Sequence, residues 1–472
     1  MFLSSKLLND YGPEQAAGVG TYLQHFEYQL QMEARVHIIV IAVGTSGDVH
    51  PLLGISRTFA RMGHRISFCT SPAFVPAVER CGFRFLPFGT AQDYYAAVNN
   101  PALWNPRTSL RTLWKSVAVR IRPLFDLLEA EAGQDTVMAA HPWAFGARLL
   151  HEKHGIPLVS VQISPSTFLS ARKPPIHKQF TIPMFLPYPV RAGLLWAFDR
   201  GVLDQICGPD INRLRFHLGL PPVKRIMGRW MHSPQGVLGL FPEWFAPPQP
   251  DWPARVTLTG FPLFDEASFR NDDAELEDFI ANGPAPIVFT PGSTLVDGLS
   301  YYTAAAEALQ GLSCRGIFLA SEGTKLPALT PNILVRSYVP LSRLLPSARA
   351  LVHHGGIGTA SQAFAEGIPQ LITPFAHDQF DNAARVECLG CGVQMRVCAN
   401  GPSMLAALKK LLEDERIKSN CAAFRFRVAS GESAGLKALA AIEAVAAGSI
   451  NEARAEIGPR AQASPITTGI HN

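Results

Sequence analysis

Apolar residues along this chain follow two patterns in turn: short continuous runs, which predict buried strands, and helical spacing, which predicts helices. The run VHIIVIAVG, residues 36–44, is continuously apolar and rich in β-branched residues, as in a parallel strand buried on both faces. It leads through GTSGDVHP into LLGISRTFARMGHR, which has helical spacing and a Gly-His stop. ISFCTS repeats the strand pattern and FVPAVERCGF the helical one. This series predicts βαβ units, and therefore a parallel sheet with helices on both faces.

The same alternation restarts after residue 283. Strand patterns recur in PIVFTPGST, RGIFLAS, NILVRSYVP, RALVHHGG and PQLITPF, and a helical pattern in YYTAAAEALQGL. We predict the α/β class, with two doubly wound parallel-sheet, Rossmann-like domains that face each other across a cleft. The predicted parts are a poorly ordered extension at 1–31, an N-terminal acceptor-binding domain at 32–265, a linker rich in Pro, Gly and acidic residues at 266–283, a C-terminal donor-binding domain at 284–430, a helix at 431–448 that often crosses back in such folds, and a mobile tail at 449–472.

Composition and charge narrow the classes of function. Hydrophobic residues make up 47% of the 472 residues and charged residues 17%, which is enough apolar material for two or three buried cores. The net charge is only +4 and there is no Lys/Arg-rich run, so nucleic acid is not an expected partner. No apolar run reaches the ~18 residues that a membrane-spanning helix needs.

The eight cysteines are scattered, and only Cys388 and Cys391 form a CxxC pair. A zinc site normally needs a second pair or a histidine at short spacing. We therefore expect reduced thiols in a cytoplasmic protein, and no bound metal.

Two glycine-rich loops stand where such folds bind ligands, beyond the carboxyl ends of strands. GTSGD follows the first strand, and HHGGIGT, residues 353–359, joins a strand to a helix. Glycine lets the backbone approach a ligand closely, and free N–H groups at a helix N-terminus attract an anion, so HHGGIGT is a candidate phosphate cradle. The alternative is a tight turn whose glycines are only steric. A metal is disfavoured because adjacent His353 and His354 at a strand end should point to opposite sides.

Four motifs in order resemble the signature of family 1 glycosyltransferases with the GT-B fold. They are GTSGD, FTPGST, the aromatic-x-Pro segment SYVP, and HHGGIGT followed by a helix, EGIP and DQ. The resemblance covers essentially residues 33–430. It implies that the second domain binds a nucleotide sugar and that the first binds an acceptor.

Stretches of both domains also resemble the rhamnosyltransferases of rhamnolipid biosynthesis, among them SPSTFLSARKPP, VKRIMGRWMHSPQGV, LFPEWFAPPQPDWP and HDQFDNAARVECLGCG. This implies metal-independent transfer of L-rhamnose from dTDP-L-rhamnose, the donor substrate, to a 3-(3-hydroxyalkanoyloxy)alkanoate lipid, with no cofactor. It also implies a companion enzyme that makes the acceptor; association with that enzyme, or with the cytoplasmic face of the inner membrane, stays open. The alternatives are another hydrophobic aglycone (sterol, polyketide or glycopeptide) or a sugar-nucleotide epimerase.

Carried over position by position, the family resemblance implies a set of donor-binding residues. His354 takes the place of the diphosphate-binding histidine, with His353 as its substitute. The other positions are Ser293, Thr294, Gly356, Gly358 and Thr359 at the diphosphate, Tyr338 and Val339 at the base, and Asp378 and Gln379 at the sugar hydroxyls. Alternative roles are a core aromatic for Tyr338 and a helix cap for Asp378. Gln362 stands where many relatives have a ribose-binding glutamate, and this weaker clamp is compatible with a deoxyribose.

The acceptor hydroxyl needs a general base, because an alcohol is a poor nucleophile at neutral pH. Asp48 occupies the slot in which family members have a histidine or an aspartate, and His50 is the competing candidate. Asp48 has the alternative role of capping a helix that starts after Pro51. Partial burial would raise the pKa of Asp48 toward a useful value. A single displacement predicts inversion at the anomeric carbon.

The stretch IPMFLPYPVRAGLLWAFDRGVLDQI, residues 182–206, is unusually apolar for a connection between helices. We predict that Phe185, Tyr188 and Trp196 line an apolar acceptor groove, with Arg172 meeting the acceptor carboxylate. The alternatives are a helix that packs its apolar face on the core and a patch that rests on a membrane.

Overall fold

The computed structural model describes residues 35–178, 181–269, 273–292, 298–395 and 400–457. Within these ranges, the strands form two separate parallel sheets of seven and six strands, covered by helices. The predicted class, two Rossmann-like α/β domains, is confirmed. The predicted extension at 1–31 and residues 458–472 of the predicted tail lie outside the described residues.

The first sheet has the strand order β3-β2-β1-β4-β5-β6-β7. Its strands are β1 His37–Ile41, β2 Arg65–Thr70, β3 Arg84–Pro87, β4 Thr136–Ala140, β5 Leu158–Gln162, β6 Val237–Gly239 and β7 Val256–Leu258. Every residue of β1 and β4 is buried, as the continuous apolar runs predict for central strands. β1 pairs in parallel with both β2 and β4, so the loops after β1 and β4 leave the sheet side by side.

The second sheet has the strand order β10-β9-β8-β11-β12-β13. Its strands are β8 Ile287–Thr290, β9 Gly316–Leu319, β10 Ile333–Arg336, β11 Ala350–His353, β12 Gln370–Ile372 and β13 Gly392–Gln394. β8 and β11 are neighbours, with His353 opposite Thr290. The loops that follow these two strands are therefore adjacent at one edge of the sheet.

Helices connect the strands in both halves. Those of the first half are α1 Ser46–Arg61, α2 Val75–Arg80, α3 Ala91–Val98, α4 Pro101–Trp104, α5 Ser109–Ala118, α6 Ile121–Glu131, α7 Phe145–His154, α8 Tyr188–Phe198 and α9 Asp204–His217. Those of the second half are α10 Ala274–Ala281, α11 Gly298–Leu312, α12 Leu341–Leu344, α13 Ile357–Glu366, α14 Gln379–Cys388, α15 Gly401–Glu413, α16 Glu415–Arg425 and α17 Gly431–Ile457. Single 3₁₀ turns lie at Pro72–Phe74, Pro165–Thr167, Ala267–Phe269 and Leu345–Ser347, and π-helical turns at Asp199–Leu203 and Ile226–Trp230. Within the described ranges, no helix combines the length and apolarity needed to cross a lipid bilayer.

The two halves are joined by more than the connecting chain. The segment predicted as a linker contains α10, and just before it Asp265 accepts hydrogen bonds from the backbone N–H (2.7 Å) and hydroxyl (3.1 Å) of Ser342. The last helix, α17, runs past the predicted end at residue 448 and packs against α1 of the first half. There Glu443 Oε1 lies 3.1 Å from His64 Nε2. Helix α17 thus contributes to the core of the N-terminal half.

Candidate active site

A cavity of about 1130 Å³ opens between the two sheets. Its walls include the segments that follow β1, β4 and β11 and the last residue of β8, so it lies at the carboxyl ends of the central strands. Ligands bind at this edge in doubly wound sheets. The cavity is where the two predicted glycine-rich loops meet.

Asp48 lies on the wall that the first half contributes. It is the third residue of α1, and Thr45 caps that helix, so α1 begins before Pro51 and not after it as predicted. The Thr45 N–H donates to Asp48 Oδ2 at 2.7 Å, and the Thr45 hydroxyl donates to the same oxygen at 3.3 Å. Gly44 has φ +143°, and a Cβ there would overlap the Asp48 carboxylate, so glycine is needed at this position.

The surroundings of Asp48 shift the pKa of its carboxyl. Burial, and to a lesser degree the negative charge of Asp378, raise the pKa of Asp48 to about 7, although the hydrogen bonds from Thr45 act in the opposite direction. A carboxyl with a pKa near 7 is partly ionised at neutral pH, and its carboxylate is a stronger proton acceptor than that of an ordinary aspartate. The Asp48 side chain thus both takes part in the N-terminal cap of α1 and lines the cavity.

His141 faces the other oxygen of Asp48, and the sequence prediction did not include it. His141 directly follows β4, and its Nε2 lies 3.6 Å from Asp48 Oδ1. Burial lowers the pKa of His141 to about 3, so the ring is neutral. The available signal was its position immediately after the buried strand run DTVMAA.

His50, the competing base, also lines the cavity but is engaged elsewhere. Its Nε2 lies 3.7 Å from Glu266 Oε1, and its ring meets the Phe264 ring edge-on at 5.8 Å. Burial lowers the pKa of His50, against the opposing effect of Glu266. His50 thus has an acidic neighbour within the fold.

The two histidines of HHGGIGT lie in different environments. His354 lines the cavity, and burial lowers its pKa to about 4, so its ring is neutral. A Cβ at either Gly292 or Gly356 would collide with this ring, so these glycines make room for it. Gly356, Gly358 and Thr359 also line the cavity at the start of α13, with Gly356 as the N-cap residue.

His353, the predicted substitute for His354, is not part of the cavity wall. Its side chain is fully buried at the end of β11, and its Nε2 lies 3.1 Å from Gln370 Oε1. The Gly355 N–H donates to His353 Nδ1 at 3.2 Å. Both ring nitrogens are thus used within the fold.

The predicted base-binding segment reaches the cavity, with Tyr338 and Val339 both in its lining. Tyr338 is 40% exposed, which excludes the core alternative, and its hydroxyl donates to the Asp265 carbonyl at 2.6 Å. Ser293 and Thr294, the predicted diphosphate contacts of the other loop, lie outside the described residues.

Asp378 and Gln379 lie at the start of α14 and line the cavity. Asn382 Nδ2 donates to Asp378 Oδ2 at 2.9 Å and to the Gly355 carbonyl at 3.0 Å, so it ties this helix to the HHGGIGT loop. Burial raises the pKa of Asp378, against the hydrogen bond from Asn382. Gln379 Oε1 accepts from two backbone N–H groups, those of Phe375 and Ala376.

The predicted acceptor residues Phe185, Tyr188, Trp196 and Arg172 are not among the side chains that line the cavity. Phe185 is 86% exposed and Trp196 56% exposed. The Arg172 guanidinium lies over the Tyr188 ring at 4.1 Å, and neither side chain is part of the cavity wall. The end of the predicted apolar stretch does reach the cavity, through Phe198, Val202, Leu203 and Ile206.

The wall that the first half contributes to the cavity contains a group of apolar side chains. Residues of several elements contribute to it, namely Val98, Leu103, Trp104, Leu110, Leu113, Val117, Trp143, Met227 and Met231. Trp104 crosses to the second half, where its ring meets the His377 ring at 5.2 Å. Among the residues that the structure covers, no three His, Cys, Asp or Glu side chains are arranged to hold a metal ion.

The chain is similar to known sugar transferases in both halves. Residues 38–172 match the glycosyltransferase family 28 N-terminal domain, and residues 317–433 match the C-terminal domain of erythromycin biosynthesis protein CIII-like proteins. Glycosyltransferase GtfC of Amycolatopsis orientalis is 30% identical over 367 residues, which are 76% of this chain and 86% of that protein.

Solved structures share the architecture. The glycotransferase of kitacinnamycin superposes with a TM-score of 0.64 at 21% identity, covering 89% of this chain and 98% of its own. The spinosyn rhamnosyltransferase SpnG, complexed with thymidine diphosphate, superposes with a TM-score of 0.59 at 18% identity, covering 85% and 99%. At these identities the likeness extends to the fold alone.

Proposed function

The chain belongs to the family 1 glycosyltransferases of the GT-B type, and from that premise we propose that it is an inverting rhamnosyltransferase. It transfers L-rhamnose from dTDP-L-rhamnose to the hydroxyl of a 3-(3-hydroxyalkanoyloxy)alkanoate lipid, giving a mono-rhamnolipid. The observation that carries the proposal is that the Asp48 carboxyl of the first half, with a pKa of about 7, lines the same cavity as His354 and the N-terminus of α13 in the second half.

In the proposed reaction Asp48 accepts the proton of the acceptor hydroxyl as its oxygen attacks the anomeric carbon. The bond from that carbon to the diphosphate oxygen breaks at the same time, and dTDP leaves with the bonding electron pair. Attack from the side opposite the leaving group inverts the anomeric carbon, so a β-linked donor gives an α-rhamnoside. General-base help of this kind contributes about 10²–10⁴-fold in rate.

The charge that develops on the leaving diphosphate is proposed to be met without a metal. The N-terminus of α13 presents backbone N–H groups and a partial positive charge. His354 is neutral and adds a directed hydrogen bond. Such preorganised donors stabilise the charge of a transition state effectively in a site that excludes water.

The proposed donor carries a thymidine nucleotide. Gln362, on α13, lines the cavity where a carboxylate would clamp a ribose, and a deoxyribose has one hydroxyl fewer. A solved protein of the same fold is complexed with thymidine diphosphate, in agreement with this choice. The choice of rhamnose as the transferred sugar rests on the resemblance to rhamnosyltransferases.

A lipid acceptor fits the apolar side of the cavity, with its carboxylate bound by residues other than Arg172. Arg107 and Arg111 line that side, and the described residues provide no carboxylate partner for either. A carboxylate and an arginine form strong charge-assisted hydrogen bonds. We therefore assign the acceptor carboxylate to Arg107 and Arg111.

A different hydrophobic aglycone is the second candidate, because an apolar wall accepts many shapes. A sugar-nucleotide epimerase fits less well, since it would have no use for an apolar chamber beside its base. Incubation of the protein with dTDP-rhamnose or UDP-glucose, each with the hydroxyalkanoate lipid or a sterol, followed by mass analysis, separates these cases. A rhamnosylated lipid supports the proposal; turnover of another aglycone alone, or release of isomerised sugar nucleotide without acceptor, contradicts it.

Peripheral attachment to a membrane is proposed for the face formed by residues 184–202. Phe185, Trp196 and Leu194 are exposed there, and the same stretch continues into the cavity through Phe198. Aromatic side chains favour the bilayer interface. Flotation with anionic vesicles should recover the native protein and lose the double variant Phe185→Ser, Trp196→Ser; equal recovery of both would contradict the attachment. The surface variant Phe216→Ser, at a side chain that is 79% exposed on α9, is the control.

A further inference from the structure

We propose that the two π-helical turns of the first half set the length of the apolar chain that the acceptor can carry. The first π turn is Asp199–Leu203 and the second is Ile226–Trp230, and the two pack against each other. The inference rests on the proposed function, because it places the chain of the proposed lipid acceptor on one part of the cavity wall.

Both turns present apolar side chains to the cavity. Those of the first turn and its flanks are Phe198, Val202, Leu203 and Ile206, and those of the second turn and the residue after it are Met227 and Met231. Val202 is 41% exposed, whereas Leu203 is 6% and Met231 4% exposed, so this part of the wall leads from the surface into the interior. A hydrocarbon chain that lies along it loses contact with water one CH₂ group after another.

Two carboxylates bind the second π turn to the first. The buried Asp199 accepts from Arg225 Nε at 2.9 Å and from the Gly228 N–H at 3.3 Å. Asp204, directly after the first turn, accepts from the backbone N–H groups of Arg225 at 2.8 Å and Ile226 at 2.9 Å. The backbone at the start of the second turn is therefore fixed by the first turn, and both turns form one unit.

The backbone of this unit departs from regular helix at several points. A π turn contains one residue more than an α-helical turn, so it rotates the side chains that follow it about the helix axis. Arg225 has φ +55°, and a Cβ at Gly228 would overlap the Asp199 carboxylate. Such conformations persist only where the surrounding structure holds them, and they occur preferentially at functional sites. The unit is thus built for the shape of the wall and not for regular packing.

The core behind the second turn is rigid, so the wall cannot move back to admit a longer chain. Trp230 stacks on Phe145 with ring centroids 6.0 Å apart, and the Arg148 guanidinium lies over the Trp230 ring at 5.5 Å. The room along the wall therefore depends on the side chains on its cavity side. Met227 is the half-buried one of the second turn, and a change in its size should change that room.

The test is the binding of a homologous series of straight-chain 3-hydroxy fatty acids, measured by displacement of a fluorescent fatty acid from the full-length protein. Affinity should rise about fourfold with each added CH₂ and stop rising at a limiting length. Met227→Ala should move this limit by about two carbons toward longer chains, because it removes the end of the side chain. Met227→Trp should move the limit toward shorter chains.

Two further positions keep the test decisive. Val202→Trp enlarges a side chain of the first turn that is exposed enough to accept it, and it should also shorten the limit; it replaces Met227→Trp if that variant does not fold. Met62 is the matched control, since it is 52% exposed and outside the cavity wall, so Met62→Ala and Met62→Trp should keep the native limit. An unchanged limit in the variants of Met227 and Val202, or an equal shift in those of Met62, overturns the proposal.

Failure of this inference can be told apart from failure of the proposed function, because the binding measurement needs no donor. A shifted limit in a protein that forms no rhamnosylated lipid overturns only the proposed function. Rhamnosylation of the lipid with the same limit in all variants overturns only the role of the π turns. If no fatty acid of any length binds to the native protein, the placement of the chain on this wall is wrong.

Discussion

At the scale of single residues, folding and the proposed role as a base make opposite demands on Asp48. The ordinary pKa of an aspartate carboxyl is 3.8, and the fold raises that of Asp48 to about 7, chiefly through burial. The folded state thus favours the protonated acid. The contribution of Asp48 to the free energy of unfolding therefore falls as the pH rises from about 4 to about 7, and it stays at the lower value above pH 7.

Asp48→Asn should therefore gain stability as it loses activity. The neutral amide avoids the burial of a charge, so the melting temperature should rise above pH 7, by about 1 °C for each kcal/mol gained in a chain of this length, and stay unchanged near pH 4. Transfer should fall by about 10²–10⁴-fold. Thermal unfolding at pH 4 and pH 8.5, together with a transfer assay, checks both. A lower melting temperature at pH 8.5, or retained transfer, would contradict this account.

The two adjacent histidines should separate binding from stability. His354→Ala removes a donor from the cavity and should weaken dTDP binding by about 10–100-fold with little change in unfolding. His353→Leu breaks the contact with Gln370 in the core and should lower stability while dTDP binding is retained. Calorimetric titration with dTDP and thermal unfolding measure the two effects. The assignment fails if the variants behave alike.

The sequence predicted Asp48 and His354 but not His141 or Asn382, and the reason is physical. Asp48 and His354 stand in glycine-rich loops directly after strands, where the local pattern marks a site. His141 becomes meaningful only because β4 is the neighbour of β1, and Asn382 only because α14 folds back on Gly355. The local pattern of apolar and polar residues does not indicate which distant segments become neighbours in the fold.

At the scale of elements, the strands were predictable and the exposed face of α8 was not. The apolar run at 182–206 has no clear stripe to indicate which side is buried. In the structure Leu195 of α8 is buried in a small apolar cluster with Ile182 and Ala171, and Tyr188 and Ala192 pack against it. Phe185 and Trp196 are exposed.

A substitution at the N-terminus of α13 tests whether this end of the helix binds the diphosphate. A Cβ at Gly358 would meet no atom of the protein, and helix propensity favours alanine over glycine by up to about 1 kcal/mol. Gly358→Ala should thus fold at least as stably, yet weaken dTDP binding because its methyl group enters the cavity. Gly193→Ala on α8, also in open space but away from the cavity wall, should leave binding unchanged. Binding titrations and unfolding curves of both variants decide; unimpaired dTDP binding by Gly358→Ala would place the diphosphate elsewhere.

At the scale of the whole molecule, the two halves share a core that the division of the sequence at residues 265 and 284 does not convey. Helix α17 follows the second half along the chain, yet its Ile442 is fully buried in the same cluster as Phe59 of α1. Gly435 permits this close packing, because a Cβ there would overlap Thr58. Sequence patterns predicted helix α17. Its packing against α1 depends on the path that the chain takes after the second sheet, which those patterns do not contain.

A change at the end of the chain should therefore destabilise its beginning. Ile442→Ala leaves a cavity against α1 and should lower the free energy of unfolding by about 2–5 kcal/mol. Leu436 lies on a different face of α17 and is 43% exposed, so Leu436→Ala should leave that free energy nearly unchanged. Calorimetry with and without dTDP distinguishes the halves, since the nucleotide is proposed to stabilise the second. The Ile442→Ala loss should appear in the transition that dTDP shifts least, or in a single transition if the halves unfold together. Equal losses in the two variants would mean that α17 contributes by its presence alone and not by the burial of this side chain.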